Sequence, residues 1–396
     1  VERVDTVTRS IDILVGDGAG LGARITSVES RHVGLPTGIR PFRLPDGRQT
    51  PTDLAAVLVR VTDSDGQHGY SLLWTQHPHQ APLLEAALRY LSDSVTLRPL
   101  VGAPRITEDL RNAVGFFGSE GPTAFALSGL QMAIEDLICR RRGAGLSTLL
   151  GRRRDSVRCY QTGLMLHASV EELMAEAKQM YSEGVRAVKM LVGKPTLAED
   201  VDRIAAVRET LPDDAALMVD ALQRWDTGTA LEAADRFARF GLQWIEDPLR
   251  HDDISGYARL NAESPVPIAT GETAFTRAAH ETLLDIETPY IIAELERVGG
   301  ICAWADLAVA VVESGATMLS HLYPHTSAHL LACLPEDQQI WLEYVPWFDT
   351  VADHPLTPHN GVCEVPDRPG AGFAPDPDKT EGLALGPWIR LTPQPS

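Results

Sequence analysis

The sequence predicts an α/β protein: an eight-stranded β/α barrel preceded by a smaller α+β domain. Three observations carry that expectation. From Ser156 onward, short apolar runs alternate with amphipathic stretches, the texture of parallel strands linked by helices. The runs end near Tyr160, Leu191, Asp220, Glu246, Gly271, Glu294, His321 and Val345, which makes eight, enough to close a barrel. Finally, Asp220 in ALMVD, Glu246 in LQWIED and Glu272 in PIATGE recur at an interval of 26 residues. One strand, one helix and two loops take about that length in a barrel of ~250 residues. The three carboxylates are therefore expected at the C-terminal ends of consecutive strands, where they form an oxygen-rich cage suited to a hard divalent cation.

The first segment, residues 1–155, reads as a mixed α+β unit. LAAVLVRVTD and QHGYSLLW are β-rich runs, and Asp63-Ser64-Asp65-Gly66 between them is a hairpin signal. Helical patterns follow in APLLEAALRYLSD and PTAFALSGLQMAIEDLICRR. Between Ser30 and Pro51 the chain is rich in Gly, Pro and Arg without periodicity, the composition of a long loop that is either functional or mobile. In the barrel segment, 156–350, the pairs Ser169/Glu172, Thr196/Glu199 and Thr229/Glu232 fit capping boxes, and Gly184 and Gly241 fit helix stops. The last segment, 351–396, is rich in Pro, Gly and Asp and is expected to return to the N-terminal unit as irregular structure.

Bulk properties narrow the function. The 396 residues are 44% hydrophobic, and no apolar run reaches the ~18 residues that span a membrane. The opening VERVDTVTRS lacks a signal-peptide pattern, so a cytoplasmic protein is expected. A net charge of −19 argues against nucleic acid as a partner. An anionic substrate would need a metal or local positive charge. The five cysteines are scattered without a C-x-x-C pair, which fits a reducing compartment rather than disulfides or zinc.

Several further residues suggest chemistry. His321 ends the run ATMLSH two strands after Glu272, where an imidazole can move a proton near neutral pH. Its ordinary alternative is a hydrogen-bonded core histidine. Glu294 ends the preceding strand and is placed to orient that imidazole; otherwise it is an exposed acid. Lys189, within RAVKML, needs a negative partner if it points into the barrel, and the three carboxylates supply one. Strand alternation puts Leu191 on the same side as Lys189. Glu343 in WLEYV either hydrogen-bonds a substrate carboxylate when protonated or is a structural acid. His32, Arg40, Arg43, Trp74 and His77 are candidate substrate contacts from the 30–51 and 74–79 segments, each with an ordinary surface reading beside it.

The stretches RAVKM, MVDALQRW, WIEDPL, ATGE, ERVGG and SHLYPHTSAHLLA together resemble the enolase superfamily, in its mandelate racemase-like subgroup. VRVTDSDGQHGY, AIEDL and VPDRPGAGF extend the resemblance over essentially the whole chain. The resemblance implies a capping domain over a modified TIM-type barrel of seven β/α units and a last strand. It implies one Mg²⁺ held by Asp220, Glu246 and Glu272, a small-molecule carboxylate substrate, and a homo-oligomer. It also implies abstraction of the proton α to the carboxylate, with metal stabilising the enediolate charge and with His321 and Glu294 as a dyad.

Three positions depart from the family pattern. Lys-x-Lys is here Lys189-Met190-Leu191, so the second lysine, a base on the opposite face, is missing. The dyad carboxylate is Glu294 in place of Asp. Asp-x-Asn is here Asp220-Ala221-Leu222. Loss of the second base argues against racemisation and for one-base chemistry. The expectation is a Mg²⁺-dependent lyase that dehydrates a sugar acid with His321 as acid/base. The alternatives are an isomerase, either a lactone cycloisomerase or an epimerase, and a non-catalytic barrel that keeps metal or ligand binding.

Overall fold

The computed structural model describes residues 21–38, 53–100 and 103–392. The chain first builds an antiparallel sheet from β1 (Ile25–Pro36), β2 (Asp53–Asp63) and β3 (His68–Thr75). β2 and β3 form the expected hairpin, and Asp63 closes it by accepting from the N–H groups of Asp65 and Gln67 at 2.9 Å each. Helices Ala81–Val95, Ala103–Val114 and Pro122–Arg141 follow, and the last lies against the sheet. The approach is so close that a Cβ at Gly69 would stand 2.1 Å from the Ala133 carbonyl oxygen. Only glycine permits that contact.

The expected loop begins later than the composition suggested. Ser30–Pro36 belong to β1, paired with β2 along its whole length, and residues 39–52 lie outside the described part. β1 lies inside the sheet, between β2 and a short strand from the C-terminal segment, so its buried Ser30 and Arg31 disguise a strand as polar chain.

From Ser156 the barrel strands are β4 (Ser156–Gly163), β5 (Ala187–Leu191), β6 (Ala216–Asp220), β7 (Ile245–Glu246), β8 (Ile268–Thr270), β9 (Tyr290–Glu294), β10 (Thr317–His321) and β11 (Ile340–Tyr344). All pair in parallel with their neighbours, and β11 pairs with β4 to close the ring. Helices between the strands start largely as expected. Ser169 and Thr196 make capping boxes with Glu172 and Glu199. Thr229 does not: helix Thr227–Phe237 is capped by Asp226, which accepts from the Thr229 N–H at 2.7 Å. An aspartate three residues upstream is an equally good acceptor and wins the position.

The C-terminal segment is more regular than expected. β12 (Val362–Glu364) pairs with β4 of the barrel, and β13 (Ile389–Arg390) pairs with β1 of the N-terminal sheet. All five cysteines are free and buried. No helix among the described residues is long and apolar enough to cross a membrane.

One interior layer fixes the height of the site. Tyr160, Ala187, Met218, Trp244, Ala269, Ile292, Leu319 and Trp341, seven from the strands and Trp244 from just before β7, form a buried cluster. Tyr160, Trp244 and Trp341 meet edge to face with centroids 5.4–6.4 Å apart. Side chains in a strand repeat every second residue, so the next inward layer falls two residues on. Those residues are Thr162, Lys189, Asp220, Glu246, Gly271, Glu294, His321 and Glu343. An apolar plug therefore carries a polar layer on its C-terminal side, where barrel active sites stand.

Candidate active site

Glycine is the exception in that layer. Gly271 has φ 124°, and a Cβ there would stand 2.6 Å from the Ile292 carbonyl oxygen. The turn delivers Glu272, out of phase with the other seven, to the same cavity. Lys189, Asp220, Glu272, Arg297, His321 and Glu343 all face that cavity, and Glu246 is fully buried beside it.

The Lys189 ammonium is surrounded by acids. It bonds Glu246, stands 3.0 Å from Glu343 Oε1, and lies 3.6 Å from Asp220 Oδ2. Burial opposes its charge, yet these carboxylates outweigh burial and raise its pKa well above the usual lysine value. Glu246 is further held by the indole N–H of Trp244 at 2.9 Å. Asp220 is pushed up to about 6, mainly by burial and further by the charge of Glu272, against the pull of Lys189.

His321 has distinct partners on its two nitrogens. Nδ1 bonds the Glu294 carboxylate, and Nε2 lies 3.2 Å from Glu272 Oε2. Burial opposes the imidazolium, but Glu272, Glu294 and Glu343 prevail and push it up to about 10. Glu294 is itself held down by Arg297 and His321 despite full burial. Arg297 bonds Glu294 and donates to the Glu272 backbone carbonyl at 3.2 Å.

Glu343 was open to two roles, and its surroundings favour the ionised one. It accepts from Lys189, from the Thr162 hydroxyl and from the Leu322 N–H at 2.8 Å. Burial alone would raise its pKa, but Lys189 and His321 bring it down to about 2.

The candidate substrate contacts divide. Trp74 and His77 line the cavity, together with Gln76. His32 is not among the lining residues: its Nε2 lies 3.2 Å from Glu85 Oε2 on helix Ala81–Val95. Arg40 and Arg43 lie outside the described residues. Arg297 belongs to the ERVGG stretch, and its pairing with Glu294 goes beyond what that motif announces. The available signal was its position three residues after Glu294 in a short helix (Leu295–Val298), a spacing that brings side chains together.

As the side chains stand, no group of three His, Cys, Asp or Glu among the described residues forms a ready metal cage. The reason is visible in the pairings: Lys189 occupies the acids on one side, and Glu272 turns to His321.

A family model described as "Enolase C-terminal domain-like" matches residues 172–379, over half of the chain. The chain belongs to the enolase superfamily. Its mandelate racemase-like character extends to whole-length relatives. It is 31% identical over 374 residues to the L-talarate/galactarate dehydratase of Salmonella typhimurium, covering 93% of each chain. It is 31% identical to the 3,6-anhydro-alpha-L-galactonate cycloisomerase of Streptomyces coelicolor, covering 87% of this chain and 96% of that one. Among solved structures, the L-talarate dehydratase of a Polaromonas species, complexed with Mg and L-glucarate, is 29% identical with a TM-score of 0.84. That match covers 93% of this chain and 99% of the other. In this member of the superfamily, the relatives thus include both a dehydratase and a cycloisomerase of sugar-derived acids.

Proposed function

We propose that this enzyme is a Mg²⁺-dependent dehydratase of a hydroxylated carboxylic acid, with His321 as its single proton-transfer group. The observation that carries the reading is an asymmetry: His321 stands on one side of the cavity, and leucine occupies the corresponding position at 191. A β-elimination is served by one acid/base group, whereas epimerisation needs one on each face.

The residues fit a divalent cation. Asp220, Glu246, Glu272, Glu294 and Glu343 outnumber Lys189, Arg297 and His321, and burial with the neighbouring acids raises the pKa of Asp220 and Glu246, a cost that a bound cation would relieve. Asp220, Glu246 and Glu272 would hold Mg²⁺, consistent with the Mg in the Polaromonas relative. When bound, the cation supplies positive charge against the negative charge that develops on the substrate carboxylate. Lys189 adds a fixed ammonium from the same side.

With Glu272 turned away from His321, the imidazole loses part of the pull on its proton and retains Glu294 at Nδ1. Nε2 then takes the proton from C2. The C3–O bond breaks as that electron pair forms the C2–C3 double bond, and Nε2 returns its proton to the leaving hydroxide as water. The enol product rearranges to a 2-keto-3-deoxy acid. Glu294 stabilises the transient imidazolium, and Arg297 keeps Glu294 ionised.

The test is a screen of sugar acids with Mg²⁺, scored for a 2-keto-3-deoxy product. Interconversion of C2 epimers without loss of water would reject dehydration in favour of the isomerase reading.

A further inference from the structure

His280 is fully buried, and the proton-transfer chemistry does not use it. It stands on helix Arg277–Asp285, which follows β8. β8 stops at Thr270, opposite Ile291, whereas β9 runs on to Glu294. The next carbonyl of β9, that of Ile292, faces the place β8 has vacated. A Cβ at Gly271 would stand 2.6 Å from that oxygen and 3.4 Å from His280 Cδ2. Cδ2 is bonded to Nε2, and Nε2 lies 3.2 Å from the Ile292 carbonyl oxygen. The ring therefore meets β9 beyond the end of β8 and packs on the Gly271 turn at the same time.

A neutral imidazole has one N–H to place. Burial lowers the pKa of His280, which keeps the ring neutral near pH 7. Nδ1 lies 2.9 Å from the Thr276 carbonyl oxygen, but that oxygen already accepts from the His280 backbone N–H at 3.3 Å. The Ile292 carbonyl is buried beside a strand that has ended, and a buried carbonyl without a donor is costly. The proton is better used on Nε2. What it holds together matters to the site. Gly271 precedes Glu272, Ile292 lies two residues before Glu294, and those two carboxylates face the two nitrogens of His321.

We propose that His280 is a positioning residue: its Nε2–H donates to the Ile292 carbonyl and seats the Gly271 turn, which aims Glu272 at the metal site. The inference rests on the proposed role of Glu272 as a Mg²⁺ ligand. Groups that orient metal ligands commonly contribute about 10- to 100-fold in metal affinity.

Two amides separate the two nitrogens. The amide nitrogen of His280→Gln reaches the place of Nε2, and that of His280→Asn reaches the place of Nδ1. His280→Met keeps an unbranched side chain of similar bulk and donates nothing, so it replaces His280→Asn should that variant not fold. Mg²⁺ affinity is read by calorimetry. Amide hydrogen exchange over residues 270–275 is read by mass spectrometry in the metal-free protein. His280→Asn and His280→Met are expected to weaken Mg²⁺ binding roughly 10-fold or more and to speed exchange over 270–275. His280→Gln should stay within about 3-fold of the unaltered protein in both measurements. Equal losses in His280→Gln and His280→Asn, or rescue by His280→Asn alone, overturn the proposal. So do unchanged exchange and affinity in His280→Asn and His280→Met. Weaker Mg²⁺ binding with unchanged exchange also overturns it, because the effect then bypasses the turn. Faster exchange with undiminished Mg²⁺ binding leaves His280 as the seat of the turn and removes Glu272 from the ligand set. Glu272→Gln checks that last outcome, since it should then bind Mg²⁺ as tightly as the unaltered protein.

Discussion

The Tyr323 hydroxyl bonds the buried carboxyl of Glu296, joining the turn after His321 to the segment after Glu294. The Trp74 N–H of β3 reaches both groups, at 3.3 Å from Glu296 and 3.4 Å from Tyr323. One polar knot therefore ties the N-terminal sheet to the two barrel segments that carry His321 and Glu294. Leu322 and Tyr323 both have φ 49°, so the knot also holds a strained turn. Tyr323→Phe leaves Glu296 short of a buried donor and is expected to cost about 1–3 kcal/mol. Denaturant unfolding checks this; a loss below about 0.5 kcal/mol would mean that Glu296 is satisfied without the tyrosine.

His321→Asn should keep the fold and Mg²⁺ binding while lowering turnover ~10²–10⁴-fold. Glu294→Gln should lower turnover less, since the imidazole remains. The same change should lower stability more, because buried Arg297 loses its anionic partner. Turnover and Tm measured on both variants separate the two effects. Wild-type turnover in His321→Asn would falsify its assignment.

Magnesium should stabilise the protein by mass action. At a concentration of 100 times Kd the gain is about 2.7 kcal/mol. Thermal unfolding with Mg²⁺ and with a chelator reads the shift directly. Asp220→Asn should abolish most of it, because the change removes a charge from the proposed ligand set. An undiminished shift in that variant would place the ion elsewhere.

Glu135 gives a pH dependence away from the reaction. It is fully buried on helix Pro122–Arg141, accepts from the Cys302 thiol at 3.0 Å, and is pushed up to about 8 by burial. Its folded pKa lies above its unfolded value, so the folded state holds the proton more tightly. That stability is complete below about pH 4.5 and is lost as pH rises through about 8, at up to ~1.4 kcal/mol per pH unit. Glu135→Gln should flatten this part of the profile in urea unfolding between pH 5 and 8.5. Parallel profiles for the two proteins would show that Glu135 is not the responsible group.

The eight strand ends were legible because apolar runs stop where the chain turns polar at one end of the barrel. The acids were legible because a β/α repeat has a near-constant length. What the sequence concealed follows equally physical lines. β1 carries buried Ser30 and Arg31 in a central strand and a register shift between Ile25 and Ser27, so it lacks clean alternation. Glu272 was read as one of three equivalent strand ends, but it reaches the cavity only through the Gly271 turn. Arg297 carried no separate reading within ERVGG, although it is largely buried against Glu294. Pairing across a short helix decides that, and composition does not record it.

Leucine at position 191 makes the stereochemistry of proton exchange a test of the proposed one-base chemistry. Lys189 and Leu191 both face the cavity, as alternation requires, but only Lys189 is ionisable, and three carboxylates hold it as a cation. On the proposed one-base reading, His321 is the group that reaches the α-proton, and Met165, Leu191 and Leu222 line another part of the same cavity. Incubated in D₂O with Mg²⁺, the enzyme should label the α-position of one configuration at C2 and leave its epimer unlabelled. Leu191→Lys places an amine on the apolar side and should introduce slow exchange in the second epimer. His77 lines the same cavity and is the control: His77→Gln should leave the one-sided pattern intact. Rapid labelling of both epimers by the unaltered enzyme, abolished by His77→Gln, would identify that histidine as the second base and move the reaction from dehydration to epimerisation.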